Sequence, residues 1–290
     1  MPVASIAGIS THYQMIGEGP PLMVLEPEGF DSAMSRRRLT RLWRGFQPVE
    51  TLPRDFRVIT YDRRESGKSG GRIEPLTWEA FARHARDLLD HLEIADALVL
   101  GGCIGCSVGL AFAANFPERC RGLLLHWPVG GFRWLSRSRE NFDRHIAFAR
   151  ECGLAGVVER ARQSEFLWNH LEAGPWSSVI ASDAAFAQSF IRQDLDRYLQ
   201  IAGQSRDSLF NDTMPSGATG TQLMAMAAPV FIMPGNDASH SASCAQILHE
   251  LIPQATLSAL GPRQQNAASI EQWIYSSIGM HGPAQQETAA

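Results

Sequence analysis

The sequence predicts an α/β fold: a mostly parallel central sheet flanked by helices, interrupted by a helical insertion. Two observations carry the expectation. Short, continuously apolar runs recur along the chain, as strands buried on both faces require, and amphipathic segments of helical period lie between them. A third observation, a glycine-rich turn between one such run and a helix, marks where chemistry is expected.

The runs fall at residues 22–25, 58–61, 97–100, 123–125 and 230–233. Between the second and third, Phe81, Ala85, Leu88, Leu89 and Leu92 share one face of a helix, which supplies the crossover that two parallel strands need. From residue 130 to 228 the alternation stops. Residues 141–150, 155–166 and 183–199 read as helices, and the aromatics Phe142, Phe148, Trp168 and Trp176 suit either a partly apolar pocket or the insertion's own core. The expected division is a core of residues 1–130 and 228–278, a helical cap insertion at 131–227 over the carboxyl ends of the strands, and a polar, disordered tail at 279–290.

Composition narrows the function class. The 290 residues carry a formal net charge of −4, so no global positive field holds nucleic acid or an anionic membrane, and Arg36, Arg37 and Arg38 read as a solvated helix face. The amino terminus lacks the basic start and apolar run of a secretory signal, which makes the cytoplasm the default location. Residues 97–116 are uncharged, with Gly101, Gly105 and Gly109 at the spacing of packed membrane helices, but a strand, a tight turn and a helix account for the same residues. Five cysteines, without the spacing of a disulfide framework, read as reduced thiols. There is no dinucleotide fingerprint, no phosphate-cradling loop and no metal-ligand spacing among the nine histidines. The expectation is a small-molecule substrate with no cofactor, metal, nucleic acid or membrane partner; a homodimer is compatible with the sequence but not specified by it.

The run at 97–100 leads into Gly101, Gly102, Cys103, Ile104 and Gly105, and then into a helix ending before Pro117. This small-x-nucleophile-x-small pattern resembles the nucleophile elbow of the α/β-hydrolase fold. A nucleophile on so tight a strand-to-helix turn leaves no room for side chains two residues to either side, a need that Gly101 and Gly105 meet. A rival register, Gly105-Cys106-Ser107-Val108-Gly109, puts Ser107 in the role but drives the strand through Gly101, Gly102 and Gly105. A third reading pairs Cys103 with Cys106 as a redox C-x-x-C, and a fourth leaves both as small buried thiols.

The resemblance extends from about residue 9 to residue 278. Asp62-Arg63-Arg64-Glu65-Ser66-Gly67-Lys68-Ser69 is similar to the family's D-x-R-x-x-G-x-S turn. Residues 229–237 resemble the strand and turn that present its catalytic acid, here Asp237; the plainer reading of Asp237 is a cap for a helix over 241–251. In the family the oxyanion is held by the backbone N–H after the nucleophile, here Ile104, and by one from the loop after the first core strand. That loop reads Glu26-Pro27-Glu28-Gly29 where His-Gly is usual, and because Pro27 has no N–H the second donor falls to Glu28 or its neighbours.

A larger departure follows. The loop 257–266, where the family keeps its histidine, has none, and His281 lies in the polar tail. A thiol tolerates this better than a hydroxyl, because a helix N-terminus favours thiolate and acylation then needs no base. For the base that deacylation still requires, His240, three residues beyond Asp237, comes first; a surface or capping histidine is its plainer reading. His126 comes second, since strand alternation turns Trp127 instead towards the pocket as a substrate contact, and Glu26 or Glu28 stand as further acids or bases. The resemblance implies a cofactor-free hydrolase of a small ester, lactone, thioester or related acyl compound, working through a thioester on Cys103 as in dienelactone hydrolases. The alternative is a non-hydrolytic member: a lyase or isomerase, or a ligand-binding protein without a complete triad.

Overall fold

In the computed structural model, which describes residues 2–36, 40, 42–43, 45–163, 171–211 and 216–280, the apolar runs form the centre of one eight-stranded sheet. Its strands are β1 (Val3–Ile6), β2 (Ile9–Ile16), β3 (Pro21–Leu25), β4 (Arg57–Tyr61), β5 (Ala97–Gly102), β6 (Cys120–His126), β7 (Val230–Met233) and β8 (Ala255–Leu257). They lie in the order β1-β2-β4-β3-β5-β6-β7-β8, with β2 antiparallel to both neighbours and every later pair parallel. The five expected strands are present. β1, β2 and β8 leave no continuous apolar run, because β1 and β2 form an edge hairpin that mixes buried and exposed positions and β8 is three residues, none fully buried.

β4 lies on one side of β3 and β5 on the other, so the chain reverses its direction of travel across the sheet at β3. The loops leaving the carboxyl ends of β3 and β5 therefore diverge and open a crevice. Register aligns those ends: Leu25 pairs with Gly101, Gly102 with His126, and His126 with Met233. The segments after these residues thus leave the sheet along one edge.

Helix α1 (Pro48–Thr51) precedes β4, and α2 (Trp78–His91) is the expected crossover, capped by Thr77, whose side chain accepts from the Ala80 N–H. α2 buries Phe81, Ala85, Leu88 and Leu89 on the sheet face it shares with α3 (Ile104–Asn115). The opposite face is covered by Trp43, Phe46 and Phe56 and by Trp273, Ile274 and Tyr275 of a helix over residues 267–277.

Between β6 and β7 the described residues contain helices and no strand: α4 (Phe132–Arg162), α5 (Ser177–Ser182), α6 (Ala184–Ile191), α7 (Leu195–Leu209) and α8 (Gly220–Met224). Gly153, at φ 68°, breaks α4 between the two helices expected there. The single helix expected at 183–199 is instead two, because Asp183 and Asp194 each accept from N–H groups two or three residues on and so start a new helix. Phe166 and Trp168 lie outside the described residues. After β7 come α9 (Ala242–Leu251) and α10 (Ala267–Ser277). Residues 97–116 are β5, a turn and α3, and among the described residues no helix is long and apolar enough to cross a membrane.

Arg36 corrects the expectation of a solvated helix face. It belongs to a single 3-10 turn and its Nε lies 2.8 Å from the buried carboxylate of Asp31. Arg37, Arg38 and the tail from 281 onward, His281 included, lie outside the described residues.

The crossing of α3 over β3 and β5 fixes where the turn sits. A Cβ on Gly105 would collide with the carbonyl of Leu25, and one on Gly101 would come within 2.6 Å of the Gly105 carbonyl. Gly101→Ala and Gly105→Ala are each expected to cost about 2–4 kcal/mol, as overpacking against unyielding backbone does. Calorimetry is expected to show a midpoint lowered by roughly 5–10 °C; an unchanged midpoint would show that the turn relaxes freely.

Candidate active site

Cys103 joins β5 to α3 at φ 52° and ψ −120°, a conformation strained for any residue with a Cβ. Neighbouring backbone holds it there. Its N–H donates to the His126 carbonyl (3.1 Å) and its own carbonyl accepts from the Cys106 N–H (3.0 Å), the first turn of α3. The residue lines a cavity of about 360 Å³ together with Glu28, Phe30, Asp31, Trp127, Asp237 and His240.

The rival register fails on burial. Ser107 is 1% exposed inside α3, its Oγ 2.7 Å from the Ser216 Oγ. Cys106 is buried too, its Sγ bonded to the Gly101 carbonyl (3.1 Å) behind the turn, and both it and Cys103 are free thiols.

The backbone N–H groups of Ile104 and Glu28 both face Cys103 and favour its charged form, which is where an oxyanion hole needs its donors. The Glu28 donor depends on a bent loop, with Glu28 at φ 84° and Gly29 at φ 55°. The turn after β4 holds that loop: Arg63 donates to the Gly29 carbonyl and Ser66 Oγ to the Phe30 carbonyl (2.7 Å). Asp62 in turn closes its own turn, accepting from the N–H groups of Met34 (2.7 Å) and Lys68 (2.8 Å). Glu26 does not serve the cavity as an acid or base. Its side chain is buried and accepts from Thr60 Oγ at 2.7 Å, outside the lining.

Asp237 does not cap α9; Ser241 does, accepting from the Cys244 N–H. Asp237 Oδ1 instead accepts from the N–H groups of Ser239 (2.8 Å) and His240 (2.9 Å) and from His240 Nδ1 (2.8 Å). With Nδ1–H donated to the carboxylate, the lone pair lies on Nε2, which is enclosed and has no hydrogen-bond partner among the described residues. Burial lowers the pKa of His240 against the opposing pull of Asp237, so the imidazole is neutral at neutral pH. Burial would raise the pKa of Asp237, but the Ser239 and His240 N–H groups and the facing ring outweigh it and keep the carboxylate ionised.

Cys103 is not a resting thiolate, contrary to the expectation from its helix N-terminus. Burial pushes its pKa up to about 12, the carboxylates of Glu28 and Asp237 add to the rise, and the Ile104 and Glu28 N–H groups recover only part of it. Desolvation of the charged form exceeds what one helix terminus supplies.

His126, the second candidate base, is 1% exposed and outside the cavity lining; its Nδ1 accepts from Trp43 Nε1 at 3.2 Å. Trp127, next along the chain, lines the cavity. Among the aromatics singled out in the sequence, Phe142 lines it as well. Trp176 is fully buried with Nε1 on the Arg72 carbonyl, and Phe148 packs under Arg160, so these two belong to the core of the helical segment. Phe30, Trp134 and Phe210 complete the aromatic wall, with Phe210 edge-on to Phe142 at 5.7 Å and to Trp134 at 5.3 Å. Phe30 adjoins the Glu28-Gly29 loop and was the one of these that the sequence could have flagged.

A family model described as the alpha/beta hydrolase fold matches residues 39–143. The enol-lactonase from Burkholderia xenovorans LB400 aligns over 96% of this chain and 97% of its own, at a TM-score of 0.58 and 21% identity. The alpha/beta hydrolase MGS-M2 from a Medee basin deep-sea metagenome library aligns over 97% and 98%, at a TM-score of 0.62 and 16% identity. The chain has the α/β-hydrolase fold. Among curated relatives, the "Putative carbamate hydrolase RutD" of Azorhizobium caulinodans is 30% identical over 125 residues, so the chain spans 43% of that relative's length. Within this α/β-hydrolase fold the loop after β8 carries Gln265, whose side chain is bonded to Trp127, Pro234 and Leu260.

A thiol of pKa about 12 supplies no thiolate at ordinary pH. The ultraviolet difference spectrum between the protein and its Cys103→Ala variant is expected to show no thiolate until pH rises above ~10. A titration step near neutrality would contradict the dominance of burial.

Proposed function

We propose that the chain is a cofactor-free hydrolase of a small ester, lactone, thioester or related acyl compound, with Cys103 as nucleophile, His240 as general base and Asp237 as its orienting acid. The observation that carries this reading is the 2.8 Å Asp237–His240 hydrogen bond, which leaves an unpartnered imidazole nitrogen on a residue that shares a cavity with Cys103. The names of the relatives, a carbamate hydrolase and an enol-lactonase, support a carbonyl that carries a heteroatom leaving group. Residues 131–227 act as the cap, since α4 contributes Trp134, Asn141, Phe142 and His145 to the cavity wall.

His240 Nε2 takes the thiol proton as the sulfur attacks the carbonyl carbon. The C–S bond forms and the carbonyl electron pair moves to oxygen, where the N–H groups of Ile104 and Glu28 receive it. On collapse the bond to the leaving group breaks, and the departing heteroatom takes the proton from the imidazolium. His240 then deprotonates a water that attacks the thioester; the C–S bond breaks and the proton returns to sulfur. Because the resting pair is a neutral thiol and a neutral imidazole, the base acts in acylation as well as deacylation.

Cys103→Ala and His240→Ala are each expected to lower kcat/KM by roughly 10³-fold or more, and the double variant to be no worse, because residues acting as a unit are not additive. Single-turnover measurements on His240→Ala are expected to show both half-reactions slowed; retention of activity within about threefold would remove His240 from the role. The pH dependence has a definite sign. Activity requires neutral His240, so it is present above the ring's lowered pKa and lost as pH falls through it, placing the acidic limb of kcat below 6.5. A limb at or above that value would show that another group is the base.

A further inference from the structure

Gln265 stands in the loop after β8, the place from which the family's histidine is missing, and it spends its whole amide there. Oε1 accepts from Trp127 Nε1 at 2.5 Å, while Nε2 donates to the carbonyls of Pro234 and Leu260, each at 2.9 Å. Two carbonyl acceptors on one side, and the indole donor and the His126 ring on the other, leave the amide a single orientation. Glutamate has no donor for the carbonyls, methionine has neither group, and asparagine is a carbon shorter. Gln265 therefore ties together the end of β6, the start of the turn after β7 and the loop after β8.

The indole it holds packs on the candidate base. The ring centroids of Trp127 and His240 are 5.4 Å apart, with the planes at 57°. Behind them is Gly235, where an added Cβ would lie 2.6 Å from His240 Cβ and 3.1 Å from Trp127 Cδ2. The backbone of the turn is held as well, through a bridge between Gly130 and His240. Asp237 holds the ring of His240 at Nδ1 alone, its other bond to this residue being to the backbone N–H. One hydrogen bond leaves the ring a rotation about that contact, and the indole face packed against it closes this freedom.

We propose that Gln265 is a positioning residue for the general base, acting through Trp127. The proposal rests on the reading of His240 as that base. The titratable groups around the ring are Asp237 on its own turn, His126 at the end of β6, and Cys103 and Glu28 on the cavity wall. Releasing the indole admits water to His240 and relieves the burial that lowers its pKa.

The test uses Gln265→Met, which keeps the length without the hydrogen bonds, and Trp127→Phe, which keeps a ring against His240 but lacks the indole N–H. Each is expected to lower kcat on the order of tenfold, and in Gln265→Met, whose side chain is outside the cavity lining, KM is expected to change less than about twofold, because a misplaced base costs rate rather than binding. In both, the acidic limb of kcat is expected to move up towards 6.5, a shift that loss of folded protein does not produce. The double variant is expected to match the worse single one. Either single variant with unchanged kcat and unchanged limb, or additive losses in the double, overturns the proposal. If Gln265→Met fails to fold, as judged by its thermal midpoint, Trp127→Phe alone decides through the same limb. Failure of the underlying reading is separately visible: His240→Ala would then retain activity in the otherwise unaltered protein.

Discussion

The α carbon of Gly105 lies so close to the carbonyl of Leu25 that no side chain fits between them, and the rest of the cavity edge depends on that contact. It brings the N-terminus of α3 against the ends of β3 and β5 at the point where the sheet order reverses. A helix leaving the sheet this tightly forces its connecting residue to positive φ, and Cys103 is that residue. The same approach brings the Ile104 N–H and the bent Glu28 loop to the sulfur. Arg63, Ser66 and Asp62 then hold the loop from behind, which gives the turn after β4 a reason beyond its own geometry.

Enclosure decides the protonation states. A helix N-terminus favours a thiolate, but the half-buried sulfur faces Glu28 and Asp237, and the cost of taking a charge out of water there is larger than one dipole returns. Burial likewise keeps His240 and His126 neutral. The centre is therefore an uncharged thiol and imidazole beside the ionised carboxylate of Asp237. Under the proposed mechanism this arrangement calls on the histidine in both half-reactions, whereas a preformed thiolate would have confined it to the second.

In the proposed mechanism the base is carried on the turn after β7, because the loop after β8 has no histidine. Asp237 and His240 occupy one turn, three residues apart, so their hydrogen bond comes with the local backbone. What such a short-range pair lacks is support from the far side of the ring, and the loop after β8 supplies it with Gln265 and the indole of Trp127.

Local patterning alone determined the class of fold, the five buried strands, the crossover helix and the elbow, because continuous apolar runs and the glycines flanking Cys103 have physical causes confined to a few residues. It also placed Asp237 and His240 together, since they share a turn. The edge strands β1, β2 and β8 were not legible, for their stability comes from neighbours instead of their own apolarity. Nor was the break near Asp194, where a side-chain cap overrides helical periodicity. The tertiary structure decided everything that joins distant segments: that His126 turns to Trp43 and away from the cavity, that Phe30, Trp134 and Phe210 meet in one wall, and that Gln265 reaches Trp127 across 138 positions. It also decided the charge on Cys103, because ionisation depends on how completely the rest of the chain excludes water, and no local pattern encodes that.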